Sequence, residues 1–372
     1  MAIQIPKLPL ELSKLSEFLA KHVPSSLFPA RKTVETKGKR RIGLNIGHAN
    51  IVACEMLSQE GKLILESCIC KQVSKEKPIS EQLKALFQEA KFQSKEVNVS
   101  LKGPGVVVRF LSFPRMNRLD FASSIQFEAE KYLPFSLSEV VLDYHILSAA
   151  EGATGEDANT MGVILVAARK TEVNKLVDIA KDAGIGLNAI DVDIFAYVNA
   201  FEYTIPDAKT RSIALLDFGA GDTTLGILDK GELTFSRDIA FGGNDLTEMI
   251  RRKLNVPIEE ASRVQHDPKL NHPDRVAAVK EGLGRLFQEI RSSINYYYSQ
   301  HQNATPVEAA YISGGLSQLS ALPEILAQQI EIPVKNWDPV SNLKVSETVN
   351  SEILKELLPY LPVSVGLAIR DK

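Results

Sequence analysis

The sequence predicts an α/β chain built from two related halves that face each other across a cleft. Three observations carry this. From Ile42 onward the pattern reads strand, glycine-centred turn, strand, third strand and then helix, and the same succession starts again near Arg211. Helical and strand-like periodicities alternate along the chain, as in layered α/β folds. At 372 residues there is enough chain for two lobes, and a cleft between duplicated units is a natural place for a ligand. The repeat is one of grammar, not of residue identity.

Composition sets the class. A hydrophobic share of 44% with 24% charged residues is that of an ordinary globular protein. No apolar run approaches the ~20 residues needed to span a bilayer, and the N-terminus lacks the apolar stretch of a signal peptide. The three cysteines, Cys54, Cys68 and Cys70, make no disulfide framework, and no histidine pattern completes a metal site around them. They read as reduced residues in or near the core of a cytosolic chain. Charge is uneven: residues 1–41 hold nine Lys/Arg against three Glu, which leaves 34 basic and 43 acidic residues for 42–372. A basic leader on an acidic body suggests that the leader has its own partner. The short, linker-like basic stretch makes nucleic acid a poor candidate.

Element by element, "LELSKLSEFLAKHV" and the Leu8 just before it place Leu8, Leu12, Leu15 and Leu19 at helical spacing, and a basic linker follows to residue 41. This amphipathic helix either packs on protein or rests on a membrane surface, the latter suggested by Lys7, Lys14 and Lys21 beside the apolar stripe. Strands at 42–46 and 51–56 flank the turn at Gly47, "KLILESCICKQV" is the third strand, and "ISEQLKALFQEAKF" is a helix. "EVNVSLKG" and "VVVRFLSFP" are strands around Gly103-Pro104-Gly105, and a helix over 119–132 stops at Pro134. "VLDYHILSA" and "MGVILVAAR" are strands on either side of the polar loop "EGATGEDANT". Helix "TEVNKLVDIAKDAG", strand "LNAIDVD" and the small-residue helix "IFAYVNAFEYT" finish the first half. The second half repeats three strands from 212, then predicts helices at 244–254 and from Asp274 to about Gln300, the strand "AAYISGG" and the helix "SALPEILAQQI".

Several stretches could carry chemistry. In "LLDFGAGDTTLGIL", Asp217 ends a buried strand, Gly219 and Gly221 let backbone N–H groups approach an anion, and Thr223 and Thr224 add hydroxyls. The same residues also suit a plain hairpin with a polar tip. "YISGGLSQL" ends a strand in Gly314-Gly315, either a flat platform for a purine or ribose or a turn needing positive φ. Glu260 and Arg263 in "EEASRVQ" stand at i and i+3, in reach of a ligand or of each other. Asp191 and Asp193 read as helix caps or as site carboxylates. "HDPKLNHPD" reads as a loop capped by Asp274 rather than as a metal cluster.

Taken in order, "GLNIGHANI", "DFGAGDTTL" and "ISGGLSQL" resemble the phosphate-1, phosphate-2 and adenosine motifs of the actin-like ATPase superfamily. Within it, "FEAEKYLPFSLSEVVLDYHIL", "FGGNDLTEMIRRKL", "EIRSSINYYYSQ" and "VSVGLAIRDK" are similar to the PilM family of type IV pilus assembly proteins, related to the division protein FtsA. The resemblance covers about 41–372. It implies an actin-like (ribonuclease H-like) bilobed fold, with one lobe from 42–96, 171–209 and a C-terminal helix in 356–372, and the other from 210–355. An inserted small α+β subdomain would occupy 97–170. It further implies ATP and Mg²⁺ in the cleft, and a partner in the N-terminal cytoplasmic peptide of a PilN-like membrane protein. Other pilus platform or motor proteins would also be partners, the chain would sit in the cytoplasm at the inner membrane, and self-association is compatible with the family.

Carried over by position, Asp217 and Gly219 match the phosphate-2 turn, with Gly221, Thr223 and Thr224 as phosphate contacts. Gly314 and Gly315 match the adenosine motif. Gly243 joins the nucleotide set, Glu260 and Arg263 fall near ribose and base, and Asp193 falls where relatives place a water-positioning acid. Asn45, Gly47 and His48 form the phosphate-1 turn, and Asn45 with Asp217 would face the metal. Three departures stand out. Asn45 lacks the usual carboxylate, His48 stands where a small hydroxyl residue is usual, and Ala321 replaces a frequent glycine. Losing a metal-facing carboxylate hurts phosphoryl chemistry more than occupancy. The expectation is therefore a nucleotide-binding adaptor that is at most a weak ATPase. An FtsA-like filament former is the alternative, and a sugar or acetate kinase fits less well because no substrate constellation accompanies the glycine turns.

Overall fold

The computed structural model describes residues 38–147, 159–267, 272–301 and 304–370. The leader helix and most of its linker, and nearly all of "EGATGEDANT", lie outside the described residues. The first half runs β1 (Lys39–Ile46), β2 (Asn50–Gln59), β3 (Lys62–Gln72), α1 (Ile79–Ala90) and β4 (Glu96–Leu101). Next come β5 (Val106–Pro114), α2 (Arg118–Glu128), β6 (Val140–Ile146) and β7 (Thr160–Arg169), then α3 (Lys170–Ala183), β8 (Gly186–Val192) and α4 (Asp193–Thr204). The second half holds β9 (Ser212–Phe218), β10 (Thr223–Asp229), β11 (Glu232–Ile239), α5 (Gly243–Leu254), α6 (Ile258–Gln265), α7 (Pro273–Gln300), β12 (Ala309–Gly314), α8 (Leu322–Ile330) and β13 (Val334–Asn336). β14 (Lys344–Val345), α9 (Ser351–Leu357) and α10 (Pro362–Ile369) follow.

The duplication is visible in strand order. One sheet runs β14-β3-β2-β1-β4-β8 and the other β11-β10-β9-β12-β13. Leaving out β14, the two match strand for strand. Each begins with an antiparallel meander, whose first strand pairs in parallel with the next one added. The insertion after β4 forms its own antiparallel sheet, β5-β7-β6, covered by α2. Strands buried on both faces explain the nearly continuous apolar runs. In β9, Ile213 and Leu215 face the core between the two sheets, while Ala214, Leu216 and Phe218 face α5 to α8. The central core contains α4 and α10, and the outer face of the first sheet is closed by α1 and α3.

The C-terminal helix α10 packs against β1 and α4 at very short range. A methyl group on Gly43 would overlap the Ser364 carbonyl, and one on Gly366 would overlap the Ala196 carbonyl. Only glycine permits this approach.

Some details differ from the sequence-based expectation. The helix expected over 119–132 is α-helical only to Glu128. It is capped by Asn117, whose side chain accepts from the N–H groups of Leu119 and Asp120, and continues as a tighter turn from Ala129 to Tyr132. The long helix starts at Pro273 with His272 at its cap, so Asp274 stands in the first turn and caps nothing. β14 pairs with β3, so the chain has already returned to the first sheet by Lys344, inside the stretch expected to belong wholly to the second lobe. Among the described residues no helix is long and apolar enough to cross a membrane.

Candidate functional site

The first hairpin turns at Gly47, whose N–H donates to the Asn50 carbonyl at 2.9 Å. The second turns through Gly219 to Asp222. The duplicated sheets set these turns opposite each other, and His48 lies over Gly221, where a methyl group would come within 2.8 Å of Nδ1. Between them opens a cleft of about 350 Å³. Of the residues singled out from the sequence, Asn45, Gly47, His48, Asp193, Asp217, Gly219, Gly243, Gly314 and Gly315 line it. Gly221 does not line it but lies against His48, which does.

The backbone geometry follows from the glycines. Gly314 has φ +83°, and a side chain there would overlap the Phe218 carbonyl of the adjacent parallel strand. The first turn of α5 lies directly on the second hairpin turn. The N–H groups of Gly243 and Asn244 donate to the carbonyls of Gly219 and Ala220 at 3.0 and 2.8 Å.

Four expected ligand contacts fall elsewhere. Thr223 is buried and donates to the Phe241 carbonyl at 2.8 Å, and Thr224 donates to Asp238 Oδ1 at 2.8 Å. Both hydroxyls are committed inside the sheet and do not line the cleft, because the strand resumes at Thr223 and alternation turns each side chain into a packed face. Thr224 instead borders the neighbouring cavity. Glu260 pairs with Arg275 at 3.6 Å, and Arg263 is exposed. The cleft receives Ser262, Gln265 and His266 from the same helix. Burial of Ala261 and Val264 sets the rotation of α6, and Gln265 turns inward with them, where Thr247 donates to it.

The electrostatics centre on a residue the sequence reading passed over. Lys102 follows β4, and its ammonium forms an ion pair with Asp222 on the second hairpin turn, with only 18% and 17% of the two side chains exposed. Burial works against its charge, but Asp217, Asp193 and Asp222 together outweigh that and raise its pKa. Asp193, the first residue of α4, is pushed up to about 6 by burial. Lys102 and Ser100 pull it down, while Asp217 and Asp238 add to the rise. Asp217 is also raised by burial, against Lys102 and the hydrogen bond it accepts from Ser313 at 3.0 Å. Asp191 is not at the site. It is buried against Arg370 at 3.0 Å and caps no helix.

The residues matching the family described as "Type IV pilus assembly protein PilM" run from 43 to 372, across both halves and the insertion. The chain belongs to the PilM family. A solved structure described as a PilM-PilN type IV pilus biogenesis complex is 26% identical, with a TM-score of 0.78 over 89% of this chain and 98% of that one. The ethanolamine utilization protein EutJ from Carboxydothermus hydrogenoformans shares the fold at 15% identity, TM-score 0.50, over 97% and 98% of the two chains. The cell division protein FtsA of Bacillus subtilis is 34% identical over 101 residues, 27% of this chain and 22% of that protein. FtsA of Staphylococcus epidermidis is 22% identical over 209 residues, 48% of this chain and 45% of that one. The matches thus span less than half the length of these FtsA relatives. This member of the PilM family has the actin-like α/β fold, with the inserted subdomain on its first half.

The cleft suits a nucleotide: glycine-centred turns from both halves line it, and Lys102 supplies a cation. It does not suit Mg²⁺. Asn45 brings no charge, Asp217 accepts from Ser313, Asp222 is taken by Lys102, and among the described residues no three carboxylate, histidine or cysteine groups gather as a metal set.

Proposed function

We propose that this chain is a nucleotide-holding adaptor of the type IV pilus inner-membrane platform. In this reading it binds ATP between its two halves, hydrolyses it weakly or not at all, and docks the N-terminal cytoplasmic peptide of a PilN-like membrane protein. The observation that carries the reading is the likeness over nearly the whole chain to a PilM-PilN complex, joined to a cleft framed by glycine turns from both duplicated units. Phosphoryl transfer needs developing charge to be stabilised by positioned cations. A cleft with Asn45 at the metal-facing position, and with its acids already engaged, is better built for occupancy than for turnover. Asp193 then acts less as a base for water than as a partner of Lys102. ATP bridging the turns would favour the closed arrangement of the lobes and thereby tune the peptide groove.

Calorimetry of ATP binding tests the nucleotide, and titration of a PilN-type peptide with and without ATP tests the coupling. Micromolar ATP binding with slow hydrolysis, and peptide affinity that changes with ATP, is the expected result. An unchanged peptide affinity removes the coupling, and no ATP binding reduces the glycine turns to structural elements of a scaffold. The 34% identity to FtsA over 101 residues favours one second reading, a filament former. Concentration-dependent sedimentation with ATP separates the two.

A further inference from the structure

Lys102 is unusual in what surrounds it. It leaves the end of β4 at the floor of the cleft, borders both the nucleotide cavity and the adjoining one of about 470 Å³, and is mostly shielded from solvent. Three carboxylates from three elements line the cleft with it: Asp193 from the start of α4, Asp217 from the end of β9 and Asp222, its ion-pair partner, from the following turn. Asp222, to which it is ion-paired, belongs to the other half of the molecule, so the pair spans the cleft. A lysine ammonium is a compact point charge with three donors, able to serve a carboxylate and a phosphate oxygen together. A divalent ion would need the same oxygens and would have to sit within a few ångströms of a buried positive charge, where repulsion is poorly screened. Ammonium and metal are therefore alternatives at this place. The neutral Asn45 on the opposite turn points the same way, because an ammonium needs fewer compensating carboxylates than Mg²⁺.

We propose that Lys102 is a resident cation that stands in for a divalent metal, so that the cleft excludes free Mg²⁺ and holds a nucleoside polyphosphate through an ammonium. The first half concerns only this chain's own residues. The second rests on the reading of the cleft as a nucleotide site.

The test uses the full chain and two probes. In the first, Mn²⁺ is titrated without nucleotide, and bound ion is read by electron paramagnetic resonance and by the thermal midpoint. The wild type is expected to hold no Mn²⁺ at millimolar concentration, whereas Lys102→Met, which leaves Asp222 without its ion-pair partner and takes the cation away from the cleft at nearly constant side-chain length, takes up one ion per chain and melts higher when it is present. Bound Mn²⁺ in the wild type overturns the proposal, and so does a folded Lys102→Met that binds none. If Lys102→Met does not fold, Lys102→Gln replaces it, and the wild-type titration still decides exclusion. In the second, ATP affinity is measured in EDTA and in Mg²⁺. The wild type is expected to differ by less than about threefold, while Lys102→Met loses about tenfold in EDTA. A wild type that needs Mg²⁺ for a tenfold gain overturns the stand-in role. Absence of ATP binding in every form defeats the nucleotide reading alone, since the Mn²⁺ titration decides metal exclusion without nucleotide.

Discussion

The docking of the C-terminal helix can be tested through one buried ion pair. Asp191, near the end of β8, and Arg370, just past α10, lie 3.0 Å apart with 0% and 2% of their side chains exposed. Asp143 of the inserted subdomain also feels the Arg370 charge, which lowers a pKa that burial raises. Removing one partner of such a pair costs about 3–5 kcal/mol, because it strands a charge in a poorly solvated place. The two single variants should differ in kind. Asp191→Asn leaves a guanidinium that cannot shed its proton, so its cost should be nearly constant between pH 5 and 8. Arg370→Met leaves the buried Asp191 and the half-buried Asp143, carboxylates that can escape by protonation. Their folded pKa values rise above the unfolded ones, so the stability gained from protonation is present at low pH and is lost as pH rises through the raised values. Arg370→Met should therefore be least damaging near pH 5 and most damaging at pH 8. The double variant Asp191→Leu/Arg370→Met should recover much of the loss. Urea unfolding followed by the emission of Trp337 reads all three. Trp337 is the sole tryptophan, 5% exposed, and lies in the same core as Ile369 and Leu367. An Asp191→Asn protein within about 1 kcal/mol of wild type would refute the argument.

Other perturbations give direct outcomes. Gly314→Ala forces a side chain into positive φ and into the Phe218 carbonyl, and should cost more than about 2 kcal/mol, read as a lowered urea midpoint. Asp193 has a folded pKa pushed from 3.8 to about 6, so its contribution to stability is full below about pH 4 and is lost as pH rises through 6. Asp193→Asn should flatten the stability profile across that window, by as much as roughly 3 kcal/mol, in denaturation series at stepped pH. For ATP affinity, Gln265→Ala should weaken binding by about tenfold. Glu260→Ala and Arg263→Ala, outside the cleft, should leave it unchanged in calorimetry.

What could be read in advance, and what could not, follows from the range of the interactions involved. The paired meanders were legible because hairpin turns and apolar alternation are local: Gly47 and Gly219 announce their turns within a few residues. The helix face of α6 was legible in principle, since Ala261 and Val264 mark its buried side, and a rotation of about 100° per residue then sends Gln265 inward and Arg263 outward. Thr223 and Thr224 misled because a hydroxyl just past a glycine turn looks free, until the resuming strand and its neighbours, Phe241 and Asp238, claim both. Lys102 carries the weakest local signal of all, one charged residue between a buried strand and Gly103-Pro104-Gly105. Its meaning depends on acids 91, 115 and 120 positions away in the sequence, at Asp193, Asp217 and Asp222, which only the folded topology assembles. The same holds for Arg370 and Asp191. The glycine turns that announce the cleft are therefore local features, while the lysine and acids that set its charge are brought together only by the fold. Motif agreement alone identifies the fold and the pocket, and the charge inside the pocket decides the chemistry.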